Sequence, residues 1–150
     1  AASRLNIQWL EEQGLCARPQ YQLFTQDAVK PNPELAAALR PLAAVVTEGT
    51  LGPPQMRPLP DPVAKKLWET AFSTIVRMLQ TIQPALGPAT KIVFCLPLYR
   101  TAKGWHDPRT VVKSQLQNWQ LATPLNYFRP EQIVGRQIWQ LTPRAKRVDL

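Results

Sequence analysis

Residues 43–54 (AAVVTEGTLGPP) contain the side chains of this sequence that are best placed to do chemistry. The small and β-branched apolar residues 43–46 predict a short buried strand. Thr47 and Glu48 follow it directly, and a turn rich in glycine and proline comes next. Because open α/β sheets place their ligands at the carboxyl ends of strands, we expect this polar pair to lie in a binding or catalytic site.

A second candidate segment follows the apolar run at residues 91–98 (KIVFCLPL), which predicts a strand covered on both faces. Tyr99, Arg100 and Trp105 lie in the loop after this strand, and we expect that loop to lie at the same sheet edge as Glu48. Aromatic and guanidinium groups stack on or clamp nucleotides. Ordinary loop packing is the alternative explanation for these three residues.

Composition favours one globular domain with a polyanionic partner. The chain has 150 residues, of which 45% are apolar, and its net charge is +8. Basic residues cluster at 65–66, 100–103 and 144–147. A basic balance of this kind favours nucleic acid or an anionic membrane surface as the partner. Solvated charge without a partner is the alternative.

The cysteine and histidine content excludes several classes of protein. Two cysteines, Cys16 and Cys95, form no disulfide framework, so we expect a reducing compartment and a cytoplasmic location. The single histidine, His106, cannot complete a structural zinc site with two distant cysteines. The sequence contains no apolar run long enough to span a membrane and no visible signal peptide, and we predict no membrane association.

Helical and strand patterns alternate along the chain. Asp61-Pro62 is typical of a helix start, with Asp61 as the N-cap, and the apolar spacing that follows predicts the clearest amphipathic helix. Two strands on either side of Pro130-Glu131 predict a β-hairpin. The predicted elements are helices at 1–13, 33–40, 62–82 and 108–120, and strands at 20–24, 43–47 and 91–98 before the final hairpin. Such alternation predicts an α/β fold with a mostly parallel sheet that ends in an antiparallel hairpin.

Two blocks of sequence resemble a known family. They are VVTEGTLGPP at residues 45–54 and YFRPEQIVGRQIWQL at residues 127–141. Both are similar to the C-terminal half of the tRNA guanine-N2 methyltransferases, which are class I enzymes that use S-adenosylmethionine. The second block carries the family's spacing of Tyr127, Arg129, Gln132, Val134, Arg136 and Ile138. The resemblance implies an incomplete Rossmann-like methyltransferase sheet that closes with an antiparallel strand.

The resemblance also implies roles for individual residues. Glu48, or Thr47 in a shifted alignment, would hold the exocyclic amine that is methylated. Thr50 stands where the family has a stacking aromatic, and with Leu51 it would face the substrate. A solvated loop carboxylate is the alternative for Glu48.

The remaining implied contacts concern the cofactor and the RNA. Asp27 matches the position that contacts the adenine of S-adenosylmethionine, with a turn or capping role as the alternative. Phe24 is either a core residue or part of the adenine site. Arg129 and Arg136 are candidate phosphate ligands, although Arg136 could equally pair with Glu131.

The family's glycine-rich cofactor loop does not occur among these 150 residues. The resemblance therefore implies that the chain is a C-terminal portion, and that an N-terminal half or a partner chain supplies most cofactor contacts. The first functional hypothesis is part of an RNA methyltransferase that acts on an exocyclic base amine, guanine N2 of tRNA. The alternative is a non-catalytic, methyltransferase-like module for RNA binding or assembly. Thr50 and the missing loop favour the alternative for this chain by itself.

Overall fold

A computed structural model describes residues 2–15 and 22–144. Four helices and six strands, together with a short 3-10 turn at Gln83–Ala85, make up its regular structure. The helices are α1 (Ala2–Glu12), α2 (Pro33–Leu39), α3 (Asp61–Ile82) and α4 (Arg109–Gln115). The strands are β1 (Ala44–Glu48), β2 (Lys91–Thr101), β3 (Gly104–Trp105), β4 (Trp119–Leu121), β5 (Leu125–Tyr127) and β6 (Val134–Pro143).

The strands form one mixed sheet in the order β1-β2-β6-β4, with β3 paired to β2 and β5 paired to β6. Strands β1 and β2 are parallel, and Glu48 lies opposite Cys95. Every other pair is antiparallel. Strand β6 is the last strand of the described residues, yet it lies in the interior of the sheet, between β2 on one side and β4 and β5 on the other.

The prediction of a mostly parallel, Rossmann-like sheet is therefore wrong. Residues 22–24 of the predicted strand at 20–24 have no regular secondary structure, and residues 20–21 lie outside the described part of the chain. Helix α4 ends at Gln115, and the chain then enters β4, which runs antiparallel to β6. Only one strand-helix-strand crossover remains, through α3, and it accounts for the single parallel pair. The predicted pairing around Pro130-Glu131 exists as β5 with β6, but β6 also pairs along β2.

Helix α3 forms the main layer on the sheet. Pro62 in its first turn is favourable because a proline at that position costs no hydrogen bond. Buried residues recur at helical spacing along one side of α3 and join the core that includes β2 and β6; they are Ala64, Trp68, Ala71, Phe72, Ile75, Met78, Leu79 and Ile82. Asp61 does not cap the helix as predicted. Its carboxylate binds Lys103, 3.0 Å away, and this hydrogen bond is the main cause that lowers the pKa of Asp61.

The two faces of the sheet differ in burial. The α3 face carries Ile92, Phe94, Leu96, Trp139 and Leu141, each at most 1% exposed. By strand alternation, the outer face carries Glu48, Val46, Val93, Cys95, Leu125, Tyr127, Arg136 and Ile138. Val46 is 76% exposed and Leu125 is 69% exposed. Among the described residues, α3 is the helix with extensive contacts to the sheet, so the outer face is largely open.

Candidate functional site

The turn after β1 has a fixed conformation. The Tyr99 hydroxyl donates a hydrogen bond to the carbonyl of Leu51 at 2.9 Å, and the Thr50 hydroxyl accepts one from the Gly52 N–H at 3.1 Å. Gly52 has a φ of +75°, and a Cβ at this position would lie 2.4 Å from the Tyr99 hydroxyl oxygen. Only glycine satisfies both constraints, so residues 49–52 form a turn whose shape depends on Tyr99.

Tyr99 holds this turn from a buried position in the core. Its side chain is fully buried, and burial raises the pKa of its phenol. The ring is thus not available to stack on a nucleotide in this conformation. Thr50 likewise uses its hydroxyl within the turn, and Leu51 offers its carbonyl to Tyr99. The hydrogen bonds of these three predicted substrate-binding residues are thus made within the turn or between the turn and Tyr99.

Glu48 lies at the carboxyl end of β1, on the outer face. Its carboxylate accepts a hydrogen bond from Nε of Arg136 at 2.5 Å, and both side chains are partly exposed. Arg136 belongs to β6, so the pair crosses over the intervening β2. Glu131 was the acidic partner that the sequence suggested for Arg136, but the structure shows Arg136 paired with Glu48. Bonding to Glu48 also raises the pKa of Arg136, a guanidinium that is already cationic at neutral pH.

Thr47 and Glu48 cannot share one role, because successive residues of a strand point to opposite faces. Thr47 lies opposite Phe94 on the α3 face, whereas Glu48 lies opposite Cys95 on the outer face. The Cys95 thiol is half-buried next to the ion pair. Burial first, and Glu48 second, raise the pKa of this thiol, so it remains protonated at neutral pH.

The predicted loop after residue 98 is instead a continuation of the sheet, because Tyr99 and Arg100 belong to β2 and Trp105 belongs to β3. The end of β2 also meets the segment that contains Arg129. The indole of Trp105 stacks on the ring of Phe128 with centroids 4.4 Å apart. The Arg100 guanidinium donates to the carbonyl of Pro130 at 2.9 Å, and its backbone N–H donates to the carbonyl of Ile133. Arg129 is exposed, and its backbone N–H donates to the side chain of Gln132.

Phe24 and Asp27 lie elsewhere. Phe24 lines an open groove of about 1130 Å³ beside α2, together with Leu23, Leu35 and Leu39. Asp27 accepts the backbone N–H of Val29 at 3.1 Å, which is a turn interaction. The carbonyl of Val29 accepts from Thr81 at the last turn of α3. Both residues thus lie near the end of α3 opposite to Asp61.

The sequence analysis missed Phe128 and Gly135. A Cβ on Gly135 would lie 2.8 Å from the Phe128 Cβ and 3.0 Å from the Tyr127 carbonyl oxygen. Gly135 therefore permits the close approach of Phe128 to β6. Both residues stand in the 127–141 block, but nothing in the spacing of that block indicates which aromatic meets Trp105.

Comparison with known proteins gives no family for this chain. No protein-family model and no curated protein matches it. Within residues 2–15 and 22–144, no cluster of histidine, cysteine and acidic residues is suited to hold a metal ion. In the same part of the chain, no helix has the length and apolar character required to cross a bilayer.

Proposed function

We propose that the chain is the substrate-side, C-terminal part of an S-adenosylmethionine-dependent RNA methyltransferase that modifies an exocyclic base amine, guanine N2 of tRNA. One observation carries the proposal. The two blocks that resemble this family meet in space, because Glu48 of the first block is hydrogen-bonded to Arg136 of the second, 88 positions later. Both lie beside the fixed turn at residues 49–52.

The chemistry assigned to Glu48 is positioning. Transfer of a methyl group to an amine requires the nitrogen lone pair to be aimed at the methyl carbon, and a carboxylate that accepts the amine N–H groups can hold that orientation. Glu48 is partly exposed and lies on the open outer face. To take this role, its carboxylate has to exchange the Arg136 guanidinium for the substrate amine.

The described residues do not fit the cofactor. The Asp27 carboxylate is used in a turn, and Phe24 lies by the groove beside α2. We therefore assign no step through S-adenosylmethionine to these side chains. The proposal places its site on an N-terminal half of the same domain or on a partner chain, in the cytoplasm.

The edge of β1 and the outer face of the sheet are surfaces that the proposed N-terminal half could contact. Strand β1 is at the edge of the sheet, and its burial pattern alternates between exposed and half-buried residues. An unpaired edge can accept a further strand. Val46 on the same strand belongs to the open outer face. We propose that the N-terminal half pairs with this edge and covers part of this face.

The second candidate function is a methyltransferase-like module without chemistry, which binds RNA or assembles with a partner. This function is favoured because the polar side chains of the site are already bonded to other groups of the protein. Glu48 is paired with Arg136, and the Thr50 hydroxyl is bound within the turn. Thr50 cannot stack on a base, so this corner has no aromatic at the position where the family places one.

Calorimetric titration with S-adenosylmethionine separates the two functions. We expect binding when the chain is joined to its N-terminal half, and no binding to the chain by itself. Absence of binding in the joined form as well would exclude the enzymatic proposal. In the joined form, Glu48→Gln should abolish methyl transfer to RNA with little change in RNA affinity. Glu69→Gln on α3, which removes an exposed carboxylate paired with Lys65, is the matched control and should leave turnover unchanged.

A further inference from the structure

The geometry points to a base-stacking platform made by Trp105 and Phe128, on which an unpaired RNA base lies with its phosphates near Arg129. The platform rests on the proposed function in one respect, since it takes RNA to be the partner. It adds a specific surface for single-stranded nucleotides that is separate from the corner formed by Glu48 and the turn at residues 49–52.

The rings of Trp105 and Phe128 stack on each other. Their planes are 27° apart and their centroids are 4.4 Å apart, which is a stacked arrangement. Phe128 is 39% exposed, and Trp105 is half-buried. Part of the stacked pair therefore faces solvent, and an exposed aromatic face can accept a base in continuation of the stack.

The backbone that carries both rings is anchored to the sheet. Phe128 approaches β6 where Gly135 has no side chain, so the segment is fitted closely against the strand. The Arg100 guanidinium fixes the next turn through the carbonyl of Pro130. Trp105 is held by the short hairpin of β3 with β2, in which it lies opposite Arg100. Both rings thus belong to anchored backbone, which reduces the entropy lost on binding.

Exposed basic side chains flank the two rings. Arg129 directly follows Phe128 and is exposed, and Lys103 near Trp105 is 84% exposed although paired with Asp61. Glu131 is the exposed acidic residue of the same loop. Aromatic rings flanked by cations suit single-stranded nucleic acid, because stacking holds the base and the cations meet the phosphates. The net charge of +8 has the sign that this partner requires.

The test measures fluorescence anisotropy with a short fluorescein-labelled single-stranded RNA of mixed sequence, and with the duplex of the same sequence. Phe128→Leu keeps an apolar side chain but removes the aromatic ring. We expect it to weaken single-strand binding roughly fivefold or more, because stacking on one ring contributes on this order. The duplex, whose bases are already stacked, should lose much less.

Tyr127→Leu is the matched control. Tyr127 is adjacent to Phe128 and 50% exposed, but it lies on the outer face of the sheet. If bases stack on the Trp105 and Phe128 rings, loss of the Tyr127 ring should change the affinity by less than about twofold. Equal losses for the two variants would overturn the platform. Thermal unfolding of each variant establishes that the fold is retained.

Two further variants probe the anchors. Gly135→Ala should displace Phe128 and weaken single-strand binding without removing any group that contacts RNA. Arg129→Gln should reduce the dependence of affinity on salt by about 0.7 in the logarithmic slope for one phosphate contact. Lys113→Gln on α4, an exposed cation away from the platform, should leave that slope unchanged. If the unaltered chain binds no RNA, the RNA partner is wrong; if it binds and Phe128→Leu has no effect, only the platform is wrong.

Discussion

The two faces of the sheet differ in how much apolar area they bury. On the α3 face, Phe94 and Trp139 are fully buried against the helix. On the outer face, Val46 and Leu125 are mostly exposed, and the polar contact between Glu48 and Arg136 lies among them. Because burial of apolar area provides most of the folding free energy, the α3 face stabilises the domain. The outer face leaves apolar side chains exposed, and in our proposal it is the face that meets a partner.

The largest expected effect contrasts one residue from each face. Trp139→Ala should lower the free energy of unfolding by about 3–5 kcal/mol, the usual cost of truncating a large buried aromatic. It also removes the hydrogen bond from the Trp139 indole to Gln137. Val46→Ala should change it by no more than about 0.5 kcal/mol, as expected for an exposed site. Urea unfolding followed by circular dichroism measures both, and comparable losses would contradict the division between the faces.

A smaller effect is expected at the turn after β1. Gly52→Ala should cost about 2 kcal/mol, because the left-handed backbone disfavours a side chain and the added methyl group would meet the Tyr99 hydroxyl. Tyr99→Phe should cost about 1 kcal/mol for the lost hydrogen bond. The double variant should lose less than the sum of the two, since removal of the hydroxyl leaves room for the methyl group. Additive losses in urea unfolding would show that Tyr99 does not fix the turn.

The smallest expected effect is on the reactivity of Cys95, which lies on the outer face. The raised pKa of Cys95 lowers its thiolate fraction at a given pH, so alkylation by iodoacetamide at about pH 8 should be slower than for a free thiol. The rate should increase as the pH rises towards that pKa. Glu48→Gln removes one cause of the shift and should accelerate the reaction, whereas the unfolded chain should react fastest. Peptide mass spectrometry distinguishes Cys95 from Cys16, and a rate independent of Glu48 would contradict their coupling.

The local elements were largely predictable. The structure confirms the helix at α3 and the strands at β1 and β2, because their apolar periodicity and proline signals are strong and local. Helix α1 likewise ends before Gly14, which has a φ of +66°. Strand direction was not predictable in the same way. It depends on whether α4 returns the chain across the sheet, and no property of residues 109–120 encodes that.

The site was predicted in part. Tyr99 does meet the turn that follows Glu48, as expected for two strands that end at one sheet edge. Tyr99 and Arg100, however, belong to β2 and Trp105 belongs to β3, where the sequence predicted a loop. The partner of Arg136 was not found, because Glu48 lies across an intermediate strand and such a diagonal contact leaves no trace in local spacing. The same limit applies to Phe128, whose contact with Trp105 is set by the missing side chain of Gly135.

The interior position of β6 has a consequence for synthesis of the chain. Strands β1 and β2 emerge before β6, and residues 92–99 of β2 gain their antiparallel partner only when residues 134–143 are available. Until then one edge of β2 carries unpaired backbone groups. The apolar side of α3 also lacks two of its core partners, Trp139 and Leu141 of β6. Completion of this sheet during translation therefore depends on β6, the latest of its described strands to emerge from the ribosome.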